Sequence, residues 1–299
     1  MARRGPLERG GTGGAACQGL GQAASAARPE PGIRSLRALL QLLRAGGHVC
    51  AGWWTVRFIF PGLTPVQRDE RIRCWSVRML HLLGVRLRVH GEPPREGPLL
   101  LVCNHLSWLD ILVLHAAVHA RFVAKSGVRH WPMIGALATG AGSLYIERER
   151  PRDAMRVVHR MAEALQAAHI VAVFPEGTTG DGRTILPFHA NLLQAAISAG
   201  APVRPAALRF ADAATGATSF APRYVGDDHL LGSLWRTLCA KPLVADVRFG
   251  DPQPSAGRQR RGWALELRQQ VQALRDAEEA GKAEADRGRT SPPASADAH

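Results

Sequence analysis

The sequence predicts an α/β fold in which a mostly parallel central sheet is flanked by helices. Three observations lead to it. From residue 85 onward, short apolar runs alternate with stretches patterned as helices. Two of those runs, Pro98-Leu99-Leu100-Leu101-Val102-Cys103 and Val171-Ala172-Val173-Phe174, read as buried strands and are each followed at once by polar or small-residue loops. Groups able to do chemistry (His105, Glu176 and Lys125) fall at the carboxyl ends of such runs, where sheets of this kind hold their reactive groups.

In chain order, residues 1–33 are rich in Gly, Ala, Arg and Pro without periodicity and read as a disordered leader; no apolar core of a secretory signal stands there. Residues 34–84 read as a hydrophobic and amphipathic helical segment that associates with a membrane, preceding the α/β domain. The uncharged stretch from Ala45 to Val56 is 12 residues long. As helix it covers ~18 Å against a hydrocarbon core of ~30 Å, so an in-plane or re-entrant anchor fits better than a span. Arginines flank it on both sides, and the positive-inside rule gives no orientation. Thr64-Pro65-Val66-Gln67 carries an N-cap, a proline at the first helical position and a capping-box glutamine. Ile72, Trp75, Met79 and Leu82 then share one face, with Arg68, Arg71, Arg73 and Arg78 around it. Such a helix either packs on a core with its basic side in water or lies against anionic lipid.

Residues 85–281 form the expected α/β domain. Its strands are placed at 86–90, 98–103, 121–125, 143–147, 170–174, 203–210 and 243–249, and its helices near 108–118, 152–168, 188–199, 228–239 and 260–281. Residues 282–299 read as a disordered tail.

Composition narrows the partners. The formal charge is +13, and all but three of the 38 basic residues are arginine. An excess of that size suits an anionic surface, lipid or nucleic acid. No nucleic-acid recognition motif or basic-aromatic platform accompanies it, so nucleic acid is not an expected partner. The five cysteines are scattered and form no C-x-x-C, which argues against a disulfide framework or a zinc ribbon. His115 and His119 have zinc-like i, i+4 spacing, but no third ligand is evident, and no metal is expected.

The chemistry concentrates in two loops. Asn104-His105-Leu106-Ser107-Trp108-Leu109-Asp110 places an imidazole at a strand end and a carboxylate at the start of a helix, a general base with an orienting partner. Ser107 would suit a nucleophile, but the chain has no G-x-S-x-G elbow. Phe174-Pro175-Glu176-Gly177-Thr178-Thr179-Gly180 turns from a strand into small residues whose N–H groups can approach an anion. Glu176 would repel a phosphate, so it is expected to hold Arg148 or an acceptor hydroxyl, leaving the anion to Gly177 and Thr178. Arg148 ends the run Gly142 to Arg148 with a fork suited to phosphate. Lys125 is a rare lysine, directly after Phe122-Val123-Ala124.

These blocks, taken in order, resemble the lysophospholipid acyltransferase family, and within it the bacterial 1-acylglycerol-3-phosphate acyltransferases. The resemblance spans roughly residues 98–208 and rests on Asn104-His105-x-Ser107-x-x-Asp110, Gly142-x-x-Tyr145-Ile146-x-Arg148, Val173-Phe174-Pro175-Glu176-Gly177-Thr178 and Pro202-Val203-x-Pro205. Phe122-Val123-Ala124-Lys125 and Trp131-Pro132-x-Ile134-Gly135 look like the intervening segment. It implies acyl transfer from an acyl thioester, on coenzyme A or acyl carrier protein, to the free hydroxyl of 1-acylglycerol-3-phosphate, giving phosphatidic acid. No cofactor is implied beyond that co-substrate. His105 and Asp110 would be catalytic, without an acyl-enzyme, and Lys125, Arg148, Glu176, Gly177 and Thr178 would bind substrate. The resemblance also implies a phospholipid membrane as partner, and a place at the inner (cytoplasmic) membrane with the catalytic domain on the cytoplasmic side. Thr179, His189 and Ala190 depart from the family pattern and point to a subgroup that includes acyltransferases for other lysolipids, such as lyso-ornithine lipid. A non-catalytic membrane-binding module is the alternative from another class.

Overall fold

Strand β2 (Leu99–Cys103) shows how the sheet is covered. Its successive side chains point to opposite faces, so Leu99, Leu101 and Cys103 enter one apolar cluster while Leu100 and Val102 enter another. Both faces are dry, which explains why the run is continuously apolar rather than alternating. The structure is a computed structural model and describes residues 31–146, 151–226 and 228–290.

Six further strands complete the sheet: β1 (Val85–His90), β3 (Arg121–Lys125), β4 (Leu144–Ile146), β5 (Ile170–Val173), β6 (Val203–Asp212) and β7 (Leu243–Phe249). Their order is β1-β7-β6-β2-β5-β3-β4. Every neighbouring pair is parallel except β6 and β7. The mostly parallel sheet expected from the alternation is present, and each strand lies within a few residues of its expected place. Direction along the β6–β7 seam was not legible, because an apolar run carries no sign of its orientation.

Helices α1 (Pro31–Trp54), α2 (Pro65–Leu82), α3 (Leu109–Ala117) and α7 (Leu230–Cys239) contribute to the first cluster, around Leu80, Leu109, Val113, Leu114 and Leu238. Helices α5 (Pro151–Gln166), α6 (Gln194–Ala199) and α8 (Arg260–Thr290) cover the other face, around Met161, Leu165, Ala196, Trp263 and Leu267. The short α4 (Ile134–Gly140) packs beside α1. This is a three-layer α/β/α arrangement with helices on both faces of one sheet.

The capping box at Thr64 forms as read: Gln67 N–H donates to Thr64 Oγ1 at 3.3 Å and Thr64 N–H to Gln67 Oε1 at 3.0 Å. Helix α2 packs against α3 and buries Ile72, Met79 and Leu80, while Arg71, Arg73 and Arg78 stay exposed. Its core-facing reading is therefore realised. No helix among the described residues is long and apolar enough to cross a membrane.

Two boundaries need correction. Helix α1 starts at Pro31, inside the expected leader, whose residues 1–30 lie outside the described ones. Helix α8 continues to Thr290, so residues 282–290 are helical rather than a disordered tail. Lys282-Ala283-Glu284-Ala285 are straight-chain or small residues of high helix propensity, and they prolong a helix already anchored by Trp263, Leu267 and Val271.

Candidate active site

Strand β2 ends at Cys103, and Asn104 pins the outgoing loop to the neighbouring strand. Its side-chain amide donates to the Leu208 carbonyl at 2.9 Å, and Leu208 N–H donates to Asn104 Oδ1 at 2.8 Å. The chain then turns sharply enough for Asp110, in the first turn of α3, to gather three donors on one oxygen. Asp110 Oδ2 accepts from Leu106 N–H at 2.6 Å, from Ser107 N–H at 2.8 Å and from His105 Nδ1 at 2.8 Å. An oxygen that accepts two backbone N–H groups cannot carry a proton of its own, so the imidazole bond is Nδ1–H donating to a carboxylate. The lone pair is thereby left on Nε2. Asp110 is fully buried and the His105 side chain keeps 18% of its surface open, so the acid is hidden and the base is accessible.

Glu176 and Phe174, on the loop leaving the adjacent β5, hold that histidine from two further directions. Glu176 Oε1 accepts from His105 N–H at 2.7 Å, and Oε2 accepts from Leu186 N–H at 2.8 Å. The Gly180 N–H donates to the His105 carbonyl at 2.8 Å. The Phe174 ring lies flat on the imidazole, centroids 3.9 Å apart and planes 8° from parallel. Burial pushes the Glu176 carboxyl above its ordinary range, and the N–H donors from Leu186 and His105 only partly offset that.

Glu176 is held from the protein side, while Arg148, one of its expected partners, lies outside the described residues. Glu176 is 5% exposed, and both oxygens are engaged by backbone, so it positions His105 and the following loop. Ser107 is no nucleophile: it is fully buried and its hydroxyl donates to the Pro222 carbonyl at 2.5 Å. Cys103 is buried, and burial, with the nearby Asp110 and Glu176, drives its thiol well above the usual range. That leaves it protonated and inert.

Lys125, Gly177 and Thr178 sit at the same edge. Strands β2, β5, β3 and β4 run parallel, so their carboxyl ends line one side of the sheet. Lys125 closes β3 there with its side chain exposed. Gly177 adopts φ 74°, a conformation that glycine accepts without strain, and Thr178 beside it is exposed. A Cβ at Gly177 would sit 2.8 Å from the His189 ring, so the loop accommodates only glycine there. Arg148 lies outside the described residues. Among the described residues no group of three His, Cys, Asp or Glu side chains could hold a metal ion. His115 and His119 stack on each other, their ring centroids 5.8 Å apart.

Two contributors were not anticipated. Phe174 could have been suspected as an aromatic at a strand end, but its stacking on His105 requires knowing that β5 adjoins β2. The other is the segment 219–226. Pro222 receives the Ser107 hydroxyl, Tyr224 O receives the Thr179 hydroxyl, and Tyr224 N–H donates to Leu106 O at 3.1 Å. It carries no motif, and its contacts arise only through folding.

The arrangement can take a proton from a hydroxyl on Nε2 while Asp110 stabilises the imidazolium that forms. The known proteins similar to this chain are acyltransferases. Residues 86–209 match the family model described as Acyltransferase. The lyso-ornithine lipid O-acyltransferase of Pseudomonas aeruginosa is 36% identical over 79% of this chain and 92% of its own length. The 1-acyl-sn-glycerol-3-phosphate acyltransferase of Neisseria gonorrhoeae is 37% identical over 63% of this chain and 73% of its own. The crystal structure of PlsC, the 1-acyl-sn-glycerophosphate acyltransferase of Thermotoga maritima, shares the fold with a TM-score of 0.63. That similarity covers 81% of this chain and 97% of the other at 20% identity.

Proposed function

The chain belongs to the acyltransferase family whose members acylate lysolipids, and from that premise we propose a direct acyl transfer. His105 Nε2 removes the proton from the free hydroxyl of a lysolipid as the hydroxyl oxygen attacks the carbonyl carbon of an acyl thioester. The C–S bond then breaks, and the departing thiolate takes the proton from the imidazolium. The new ester is released with a free thiol, on coenzyme A or acyl carrier protein, and no acyl-enzyme forms. General-base assistance contributes roughly 10²–10⁴-fold, and holding both substrates in register supplies much of the rest. No cofactor takes part. The observation that carries this reading is the 2.8 Å Nδ1–Asp110 bond, which leaves Nε2 as an accessible acceptor at the sheet's carboxyl edge.

The acceptor we favour is lyso-ornithine lipid. The relative that this chain matches along 92% of its length has that acceptor in its name. Moreover, Thr179 follows Thr178 with its hydroxyl engaged by Tyr224, so no added cation stands at that position to grip a phosphate dianion. The second reading, 1-acylglycerol-3-phosphate giving phosphatidic acid, is supported by the neisserial relative. Lys125, Gly177, Thr178 and Arg148 would hold the head of either lipid. We place the enzyme on the cytoplasmic face of the inner membrane, with the segment before α2, residues 34–63, resting on the bilayer. Purified protein offered both lysolipids with one radiolabelled acyl thioester tests this, with His105→Ala as the blank. Preference for lysophosphatidate would reverse the acceptor assignment. Acylation of neither lipid would overturn the substrate class.

A further inference from the structure

Helix α7 packs on α1, and both helices leave apolar side chains in water. On α7 these are Leu231, 74% exposed, and Trp235, 41% exposed, one turn apart and so on one face. On α1, Leu36, Leu39, Leu40 and Leu43 are exposed, while Ala38 and Ala45 reach the core. Soluble domains rarely leave neighbouring large apolar groups uncovered without a use for them. The helices themselves carry charge of one sign: α1 has exposed Arg37 and Arg44 and neither helix contains an acidic residue, although Asp228, just before α7, pairs with Arg236 at 3.1 Å. An apolar face flanked by the arginines of α1 matches an anionic phospholipid surface.

The opposite face of α7 is tied to the catalytic loops. Ser233 Oγ lies 3.4 Å from the Pro222 carbonyl and 3.1 Å from that of Arg223, and it accepts from Trp108 Nε1 at 3.2 Å. Arg236 Nη2 donates to the Arg223 carbonyl at 2.6 Å. Pro222 and Tyr224, in turn, receive the hydroxyls of Ser107 and Thr179, one on each of the two loops that meet at His105.

Resting on the acyltransferase reading, we propose that α7 is a bilayer-contacting element of the catalytic domain. It seats Leu231 and Trp235 in an anionic lipid surface and, through segment 219–226, brings the His105 edge to the interface where a lysolipid hydroxyl is presented. The bilayer contact is thus not confined to the N-terminal segment.

The test uses the full chain and the double variant Leu231→Ser/Trp235→Ser. Flotation with vesicles of phosphatidylethanolamine and phosphatidylglycerol is expected to show a bound fraction lower by about tenfold in the variant, the loss from exposing side chains of this size. Acylation of lysolipid embedded in those vesicles should fall in parallel, while acylation of the same lysolipid in detergent micelles stays within about twofold. Unchanged flotation would overturn the proposal. So would equal losses in vesicles and micelles, which would make α7 a scaffold for the site rather than a lipid contact. A change of sedimenting species in the variant would assign the face to a second copy of the chain and overturn it as well. If no lysolipid is acylated under any condition, the catalytic reading fails, while flotation still decides the docking surface.

Discussion

His105 and His115 lie on one chain of ring contacts and could hardly differ more in what they can do. The chain runs from His105 to Phe174 at 3.9 Å and on to Phe122 at 5.9 Å, both stacked, and then edge-on to His115 at 4.7 Å. His105 has the Asp110 carboxylate on Nδ1 and keeps 18% of its side chain open. His115 is 5% exposed, its Nδ1 has no hydrogen-bond partner, and burial, with His119 nearby, pushes its pKa down to about 3. An imidazole can serve as a general base when one nitrogen is reachable, and an acid on the other fixes the tautomer and stabilises the imidazolium. The sequence places both histidines near acids or further histidines, so their difference is a property of the packing.

Replacing each ring or its support should separate the two sites. The largest effect is expected for His105→Gln, which keeps a polar side chain but has no basic nitrogen. Its kcat should fall by about 10³–10⁴-fold with little change in melting temperature. Asp110→Asn comes next, at about 10²–10³-fold, because the amide cannot hold the Nδ1–H tautomer and accept two backbone N–H groups as a carboxylate does. A circular dichroism melt alongside the assay distinguishes lost chemistry from lost structure.

Phe174→Leu should lower kcat by about tenfold with KM nearly unchanged, since the flat wall behind the imidazole is lost but no substrate contact is. Phe174→Tyr should restore it. If leucine and tyrosine behave alike, stacking does not position His105. The smallest effect on turnover, under twofold, is expected for His115→Phe. Its signature lies instead in stability against pH. Unfolded His115 takes up a proton below about 6.5, whereas folded His115 stays neutral down to about 3. The unfolded chain therefore binds more protons in that window, and the folded state loses stability as pH falls through it. Removing the imidazole should shrink the loss between pH 7 and pH 5 by about 2 kcal/mol, readable from urea titrations at the two values. An unchanged slope would mean that His115 is not held neutral by burial.

How much was legible beforehand depends on the range over which each signal acts. Strands and helices were readable because a period of two or of 3.6 residues is written in neighbours. The His105–Asp110 pair was readable because one turn of chain brings those residues together. Glu176 was placed correctly at the site, but its support of His105 was not foreseen. A charged residue in a loop suggests a ligand, and only the fold shows its two oxygens already held by the N–H groups of His105 and Leu186. Segment 219–226 could not be found at all. Its links to Ser107 and Thr179 use carbonyls, which every residue possesses and no residue type announces.

The amino-acid order alone settled the α/β class, the positions of the strands, the family resemblance and the pairing of His105 with Asp110, since each depends on residues close in the chain. Tertiary structure decided the strand order that sets β5 beside β2, the antiparallel seam between β6 and β7, the ring stacked on His105 and the covering of the loops by α7 and its preceding segment. Those features depend on which distant surfaces exclude water together, and burial of that kind is a sum over the whole chain.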